Sequence, residues 1–255
     1  MRAAIGAAAL ACAGCQFILG IDPDVPILDG GANVTVRDGG APCTSSTSLL
    51  CDDFEQGTID TQRWEQVEQQ NATVKVDTTR PHWGSWSLHA TANAVTLAGA
   101  PNTNGFVDHE NALPAHFFVR FFLFVPMPSV VPPKAQIVIN AVNDPGLGMQ
   151  LALSDGNLAF TDWASTSEVD LRSSTASPTN TWQCIEWEVI EGQPQGQMNV
   201  WVDGSAMSDL DVAVPTVAYS VLKLGIGFFQ PQVQPLYEVW IDDVRVEASR
   251  VGCSE

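Results

Sequence analysis

The chain has 255 residues, which allows one large domain or two small ones, and its formal net charge at pH 7 is −18. Hydrophobic residues make up 45% of it, a composition typical of a globular protein and not of a disordered one. Such an acidic surface repels phosphate, which argues against a nucleic-acid partner.

The N-terminus has the features of an export signal. A basic start, Met1-Arg2, precedes the apolar run from Ala3 to Ala11, which is too short for a transmembrane helix. The small pair Ala13-Gly14 before Cys15 resembles the bacterial lipobox, in which the cysteine is acylated after cleavage. Cys12 is the second candidate for acylation, and an ordinary secretory signal is the alternative. We therefore expect an exported lipoprotein at the cell surface or outer membrane, held to the membrane only through its N-terminal lipid.

The next residues differ in composition from the rest. Residues 16–47 lack hydrophobic periodicity and are rich in Gly, Asp, Pro, Ser and Thr, which is typical of a tether. The sequence predicts an export signal at 1–14, a flexible tether at 15–47 and one folded domain at 48–255.

Four further cysteines fit an oxidising compartment. They are Cys43, Cys51, Cys184 and Cys253. An even number predicts two disulfides, for which three connectivities are possible. We favour Cys43–Cys51, a short loop before the first strand, together with Cys184–Cys253. The alternative Cys51–Cys253 would join the two ends of the domain.

From Leu49 onward, short apolar stretches alternate with turn clusters such as Ser154-Asp155-Gly156-Asn157 and Asp203-Gly204-Ser205. No stretch has a sustained helical period. Many short strands separated by turn signals predict a β-sandwich or barrel.

Side chains on a strand alternate between two faces, so individual strands can be assigned face by face. In residues 116–125 the apolar odd-numbered residues are predicted to face inward, and the even-numbered ones, from His116 to Phe124, to face outward. In residues 135–141 the same alternation places Ile137 and Ile139 inward.

The order of motifs resembles that of known jelly-roll domains. The motifs are Asp52-Asp53-Phe54-Glu55, the segment from His82 to His89, Phe118 to Phe122, Trp182 to Trp187, Val202-Asp203-Gly204, and Val239 to Val244. This order is similar to that of concanavalin A-like and carbohydrate-binding-module jelly rolls, and to the fungal cellulose-induced protein family, which is related to glucuronan and alginate lyases. The tether segment Leu19-Gly20-Ile21-Asp22 looks like that of myxobacterial cell-surface lipoproteins. The resemblance implies an all-β, two-sheet antiparallel jelly-roll sandwich, which we expect to be a monomer.

The resemblance also implies a structural calcium ion where the first and last strands of such domains lie side by side. The matching residues are Asp53, Glu55, Asp242 and Asp243. Carboxylate oxygens suit a hard cation, and converging carboxylates need a counter-charge. The alternative is that these carboxylates alternate between faces and are solvated.

Outward polar residues give a predicted groove formed by His116, Arg120, Gln136, Asn140 and Tyr237. A polysaccharide lyase must neutralise a uronate carboxylate, for which Arg120 and Gln136 are candidates, and must move protons, for which His116 or Tyr237 would serve. The triplet Gln136-Ile137-Val138 stands where alginate lyases carry Gln-Ile-His, so the histidine of that motif is absent.

Aromatic side chains would supply stacking platforms for sugar rings. The candidates are Phe118 and Phe122 on an outward row, and Trp83 and Trp86 near a turn. Trp163 also lies near a turn and is expected to be exposed. We predict an exported, lipid-anchored polysaccharide-binding protein. One alternative is a lyase acting by β-elimination on a uronic-acid polymer, and the other is a non-catalytic structural or adhesion module.

Overall fold

The computed structural model describes residue 43 and residues 48–97, 99–127, 136–143, 146–164, 169–192, 195–214, 216–229 and 231–253. The predicted export signal, nearly all of the tether, and both candidate acylation sites, Cys12 and Cys15, lie outside the described residues. Within the described residues, no helix has the length and hydropathy to cross a membrane.

All regular secondary structure in the described part of the chain is β-strand. In chain order the strands are β1 Leu50–Asp52, β2 Gln66–Gln70, β3 Ala72–Asp77, β4 Ser87–Ala92, β5 Thr103–His109, β6 His116–Phe124, β7 Gln136–Val142, β8 Gly148–Ser154, β9 Asn157–Asp162, β10 Val169–Ala176, β11 Trp182–Ile190, β12 Gln197–Val202, β13 Ser205–Ala206, β14 Val221–Phe228 and β15 Tyr237–Glu247.

The strands form two antiparallel sheets. The first sheet has the order β13-β12-β11-β6-β15-β4-β3, with β1 paired to β15, and the second has the order β10-β9-β8-β7-β14-β5-β2. Many neighbours in each sheet are distant in sequence, as in a sandwich whose chain crosses between sheets. The predicted all-β, two-sheet antiparallel sandwich is confirmed.

Alternation along the strands builds the core between the sheets. In β6 the predicted inward residues, from Phe117 to Leu123, are buried in one hydrophobic cluster, and Trp187 of β11 joins them with no exposed surface. Each buried side chain of this size contributes roughly 1.5–3 kcal/mol through removal of apolar surface from water. The even-numbered residues of β6 lie on the outer face of the first sheet.

Two predicted turns are tight hairpin connections. Asp155 and Gly156, which link β8 to β9, have φ values of 49° and 79°, and Asp203 and Gly204 have φ values of 49° and 78°. Two successive positive φ angles match a type I′ turn, whose twist suits a two-residue hairpin. Asp-Gly adopts this geometry at low cost, because glycine has no Cβ and Asp tolerates the left-handed region.

Two disulfides join the predicted partners. Cys43 pairs with Cys51 at a Cα–Cα distance of 5.3 Å, and Cys184 pairs with Cys253 at 5.8 Å. The favoured connectivity is therefore confirmed and the alternative Cys51–Cys253 is wrong. Disulfides persist in oxidising compartments, which supports export of the protein.

Candidate functional site

A groove lies on the outer face of the second sheet, and we call it the second-sheet groove. Its volume is about 590 Å³, a size typical of ligand sites. The lining combines polar side chains with rings and small residues. It comprises Glu68, Asn104, Phe106, Asn140, Val142, Gly146, Gln150, Thr161, Trp163, Lys223 and Phe229.

Polar residues on the outer face of the second sheet form one row across five neighbouring strands, and four of them line the groove. Asp108 lies opposite Lys223, Lys223 opposite Asn140, Asn140 opposite Gln150, and Gln150 opposite Thr161. Directly opposed residues share a face. Because neighbouring strands are about 4.8 Å apart, this row extends roughly 19 Å. It therefore offers polar contacts to an extended ligand that crosses the strands.

Two amide side chains in this row have unsatisfied oxygens. Asn140 Oδ1 and Gln150 Oε1 are buried and accept no hydrogen bond from the residues that the structure describes, although the two residues are only 3% and 8% exposed. A buried acceptor without a partner costs about 1–3 kcal/mol. Two such acceptor oxygens lie side by side in the groove, where the donor groups of a bound ligand could form hydrogen bonds to them.

A charged cluster lies at one end of the row, and we call it the acidic cluster. Lys223 Nζ donates to Glu68 Oε1 at 2.6 Å and also to Asp108 Oδ2. Burial raises the pKa of Asp108 to about 6, although the Lys223 ammonium opposes the shift. Burial lowers the pKa of Lys223, but the hydrogen bonds that Lys223 donates to Asp108 and Glu68 outweigh it, so the net pKa is raised. Lys223 therefore stays protonated.

Aromatic rings border the groove where small residues leave room for them. Trp163 Nε1 donates to the Gly146 carbonyl oxygen at 2.9 Å, and a Cβ on Gly148 would lie 2.9 Å from the Trp163 ring. Likewise, a Cβ on Gly227 would lie 2.5 Å from Phe106 Cζ. Trp163, predicted to be exposed near a turn, is partly exposed here and available to stack on a sugar ring.

Of the five residues of the predicted groove, the structure places only Asn140 in the second-sheet groove. The prediction that Arg120 and Gln136 share a groove is wrong, because β6 and β7 belong to different sheets. His116 and Arg120 lie on the outer face of the first sheet, and Tyr237 belongs to the core cluster, where burial raises its pKa.

Gln136 is displaced by a bulge. The register shifts between Ile137 and Ile139, so that Gln136 lies opposite the core residue Leu153 while Asn140 lies opposite Gln150 of the groove. The extra residue, Val138, packs in the core. The predicted alternation from Gln136 to Asn140 is therefore wrong. Ile137, predicted to face inward, lies opposite Ala152 on the same face of the sheet as the groove.

The predicted aromatic platforms lie on the first sheet or its edge. Phe118 and Phe122 are each 6% exposed, and the His82 ring stacks on Phe122 with centroids 3.7 Å apart. Trp83 contacts the edge of His82, and a Cβ on Gly57 would lie 3.2 Å from the Trp86 ring. The outer faces of Phe118 and Phe122 are thus largely covered. Sugar binding by these four residues stays a prediction.

The first-sheet polar candidates have structural neighbours. His116 Nε2 lies 2.8 Å from Glu188 Oε1, and the Arg120 guanidinium lies over the Phe122 ring at 5.0 Å. Burial lowers the pKa of Arg120, partly offset by Asp243. Catalytic roles for His116, Arg120, Gln136 and Tyr237 stay predictions.

The predicted calcium ligands accept hydrogen bonds from the protein. Glu55 Oε1 accepts from the backbone N–H groups of Ser85 and Trp86 at 2.8 and 2.9 Å, and Asp53 Oδ1 accepts from the Glu55 N–H at 3.3 Å. Asp242 Oδ2 accepts from the His82 N–H at 2.8 Å. Burial, followed by the Asp243 charge, raises the pKa of Asp242.

Asp243 Oδ2 lies 2.7 Å from His82 Nδ1, so His82 neighbours both of the C-terminal acids of the predicted calcium site. Among the residues with described positions, no three His, Cys, Asp or Glu side chains are grouped as around a metal ion. Glu55, Asp242 and Asp243 bond to the segment that connects β3 and β4, whereas Asp53 accepts from the Glu55 N–H. Calcium at this position stays a prediction.

Most residues of the second-sheet groove were not predicted from the sequence, including Glu68, Gln150 and Lys223, and neither was Asp108, which bonds Lys223. One signal was present: Lys223 is one of only 11 basic residues in the chain and interrupts an otherwise apolar strand. A lysine in such a strand needs a carboxylate partner, but the sequence does not show which carboxylate lies opposite it.

Comparison with known proteins shows the fold. No protein-family model matches the chain, and no curated protein matches its sequence. The structure is similar to "Cellulose induced protein, Cip1" (TM-score 0.64, 19% identity, 80% of this chain and 100% of that one). It is also similar to endo-beta-1,4-glucuronan lyase from the fungus Trichoderma reesei, with a TM-score of 0.66 and 15% identity. The match covers 82% of this chain and 98% of that one. It also matches the receptor-binding domain of botulinum neurotoxin type G (TM-score 0.52, 11% identity), covering 82% of this chain and 49% of that one. These similarities confirm the predicted jelly-roll sandwich.

Proposed function

We propose that this protein is an exported polysaccharide-binding protein and that it holds a sugar chain in the second-sheet groove. The observation that carries the proposal is the pair of buried, unpartnered amide oxygens of Asn140 and Gln150, side by side in that groove. Sugar hydroxyls are donors that satisfy such acceptors.

The rest of the groove suits the same class of ligand. Sugar rings present apolar C–H faces that pack on aromatic planes, and Trp163 and the 49% exposed Phe229 border the groove. Thr161 and Asn104 add hydroxyl and amide groups to the lining. Apolar walls with a few polar groups are typical of small-molecule and sugar sites.

The names of similar structures support a sugar ligand. One of them is a glucuronan lyase, another is a sialidase with a TM-score of 0.56, and a third is described by the interaction of botulinum neurotoxin type C with two ganglioside molecules. These names concern those proteins, and the low identities carry only the fold to this chain. The ligand assignment therefore depends on the groove itself.

The groove favours binding over β-elimination. Lyase chemistry needs a group that neutralises a uronate and groups that move protons. Within the described lining, the titratable side chains are Glu68 and Lys223, and Lys223 is already bound to two carboxylates. An unsaturated product absorbing in the ultraviolet would identify a lyase, whereas a scaffold module would bind no glycan.

A glycan array followed by titration calorimetry tests the proposal. We expect the wild type to bind at least one polysaccharide, and Gln150→Ala to weaken that binding about three- to tenfold, the effect of one lost hydrogen bond. Asn199→Ala is the matched control, because Asn199 lies on the first sheet and bonds Glu188. Equal losses for both variants, or no glycan bound at all, would contradict the proposal.

We also propose acylation of Cys15. Lipobox-like residues before Cys15 and two disulfides in the domain support an exported lipoprotein. The native protein is expected to partition into detergent and to carry an acylated N-terminus by mass spectrometry. Cys15→Ser should release it into the aqueous phase. If Cys12→Ser released the protein and Cys15→Ser did not, Cys12 would be the acylated residue.

A further inference from the structure

The charges around the second-sheet groove point to the class of sugar that it accepts. The acidic cluster has two carboxylates, Glu68 and Asp108, for one ammonium, Lys223. With both acids ionised, its net charge is −1. Asp108 is 1% exposed and its Oδ1 has no hydrogen-bond partner in the described part of the chain, so this negative charge is poorly compensated there.

Lys223 has little capacity left for an anionic ligand. Its side chain is 19% exposed, and two of its three N–H donors are directed at Glu68 and Asp108. A uronate approaching Lys223 must compete with both acids. The carboxylates would repel it, and the exchange would also desolvate it.

The other end of the same face is charged in the same way. On β10, Asp170 lies opposite Thr161, and Arg172 lies opposite Ala159, two residues further along the same face. Arg172 is bound to Asp155 at 2.5 Å, and its second nitrogen donates to Ser154 Oγ. Both described cations of this face are therefore paired with carboxylates, and acids outnumber them.

We propose that the second-sheet groove selects uncharged polysaccharides and rejects uronic-acid polymers. This inference rests on the proposed function, because it names the ligand class of the same groove. Hydroxyl groups satisfy Asn140 and Gln150 without adding charge beside the acidic cluster. The net charge of −18 adds a repulsive long-range field for any polyanion.

The test compares each sugar chain with its own oxidised form. Hexamers of β-1,4-glucan, β-1,3-glucan and β-1,4-mannan are presented before and after oxidation of their C6 hydroxyls to carboxylates, together with alginate oligomers. The linkage and length stay the same, so only the charge changes. We expect the best neutral hexamer to bind at least tenfold more tightly than its oxidised form at pH 7.

A charge-neutralising variant tests the role of the acidic cluster. Glu68→Gln removes one negative charge at the groove, and we expect it to reduce the neutral-to-oxidised affinity ratio at least threefold. Glu188→Gln is the matched control, because it removes the same charge from the outer face of the first sheet. We expect it to leave the ratio unchanged.

The outcomes separate this inference from the proposed function. Oxidised chains or alginate binding as tightly as neutral chains would overturn charge selection but leave polysaccharide binding intact. An unchanged ratio in Glu68→Gln, or equal changes in both variants, would overturn the role of the acidic cluster. Failure of every chain to bind would overturn the proposed function.

Discussion

Asp108 shows how a single residue contributes to the groove. It is a buried acid bonded to Lys223, and burial raises its pKa from 3.8 to about 6. An unpaired buried carboxylate would neutralise itself, so the ammonium of Lys223 keeps Asp108 charged near neutral pH. The same ion pair restricts Lys223 and leaves the groove acidic.

The raised pKa of Asp108 predicts a specific dependence of stability on pH. Between about pH 4 and 6 the folded state binds the Asp108 proton and the unfolded state does not, so this contribution to stability is lost as pH rises through that window. A pKa shift of this size changes the free energy of unfolding by an amount on the order of 3 kcal/mol. Denaturant unfolding of wild type and Asp108→Asn at several pH values measures it.

At each pH, the free energy of unfolding of Asp108→Asn is subtracted from that of the wild type. The difference removes the contributions of the other acids. The wild type should lose stability relative to the variant between pH 4 and 6, and the difference should level off above about pH 7. A difference that is constant with pH, or that rises with pH in this window, would contradict the shifted pKa.

Strands were the level at which the sequence was most informative. Alternation assigned both faces of β6 correctly, because its register against β11 has no bulge, and the Asp155-Gly156 and Asp203-Gly204 turns were found from their composition. Alternation failed in β7, where the bulge at Val138 turns Gln136 to the other face. A bulge depends on the partner strand, which a single sequence does not show.

β14 crosses the second sheet beside the groove, and its Gly227 gives an element-level prediction, with Gly156 of the β8–β9 turn as the comparison. A Cβ on Gly227 would lie 2.5 Å from the Phe106 ring, whereas Gly156 has open space and only a positive φ. Gly227→Ala should cost roughly 1–3 kcal/mol through overpacking, and Gly156→Ala roughly 1–2 kcal/mol through backbone strain. Thermal unfolding measures both variants.

Binding distinguishes the two glycine variants. Gly227→Ala displaces Phe106, which lines the groove, so we expect weaker polysaccharide binding, whereas Gly156→Ala should bind as the wild type does. Normal binding by a folded Gly227→Ala variant would show that the Phe106 position does not shape the site.

At the scale of the whole molecule, the assignment of strands to sheets decides where the site lies. β6 and β7 follow one another in the chain, so the sequence suggested one groove for Arg120 and Gln136, but the chain crosses between sheets there. Strand order depends on long-range pairing, which periodicity does not reveal. The fold class was therefore predictable, and of the groove only Asn140 and the partly exposed Trp163 were.

The two disulfides close loops of very different size and should stabilise the molecule unequally. Cys184 and Cys253 are 69 residues apart, whereas Cys43 and Cys51 are 8 apart. Loop-closure entropy predicts a loss of about 4 kcal/mol without the first and about 2.5 kcal/mol without the second.

Denaturant unfolding of Cys184→Ala/Cys253→Ala and of Cys43→Ala/Cys51→Ala checks this order. Cys253 also follows Val251 and Gly252, whose N–H groups donate to the fully buried Glu186. Loss of the long-range disulfide should therefore also free the chain end. The reverse order of stability would show that native-state contacts, and not loop size, set the contribution of each bridge.

The molecule has two outer sheet faces, and we propose that the sugar chain binds to the second. Calorimetric titration of the best glycan into two double variants tests that assignment most directly. Asn140→Ala/Gln150→Ala alters the second-sheet groove, and His116→Ala/Trp83→Ala alters the first-sheet side. We predict at least a tenfold loss of affinity in the former and no change in the latter. Loss of affinity in the first-sheet variant and not in the second-sheet variant would contradict sugar binding in the second-sheet groove.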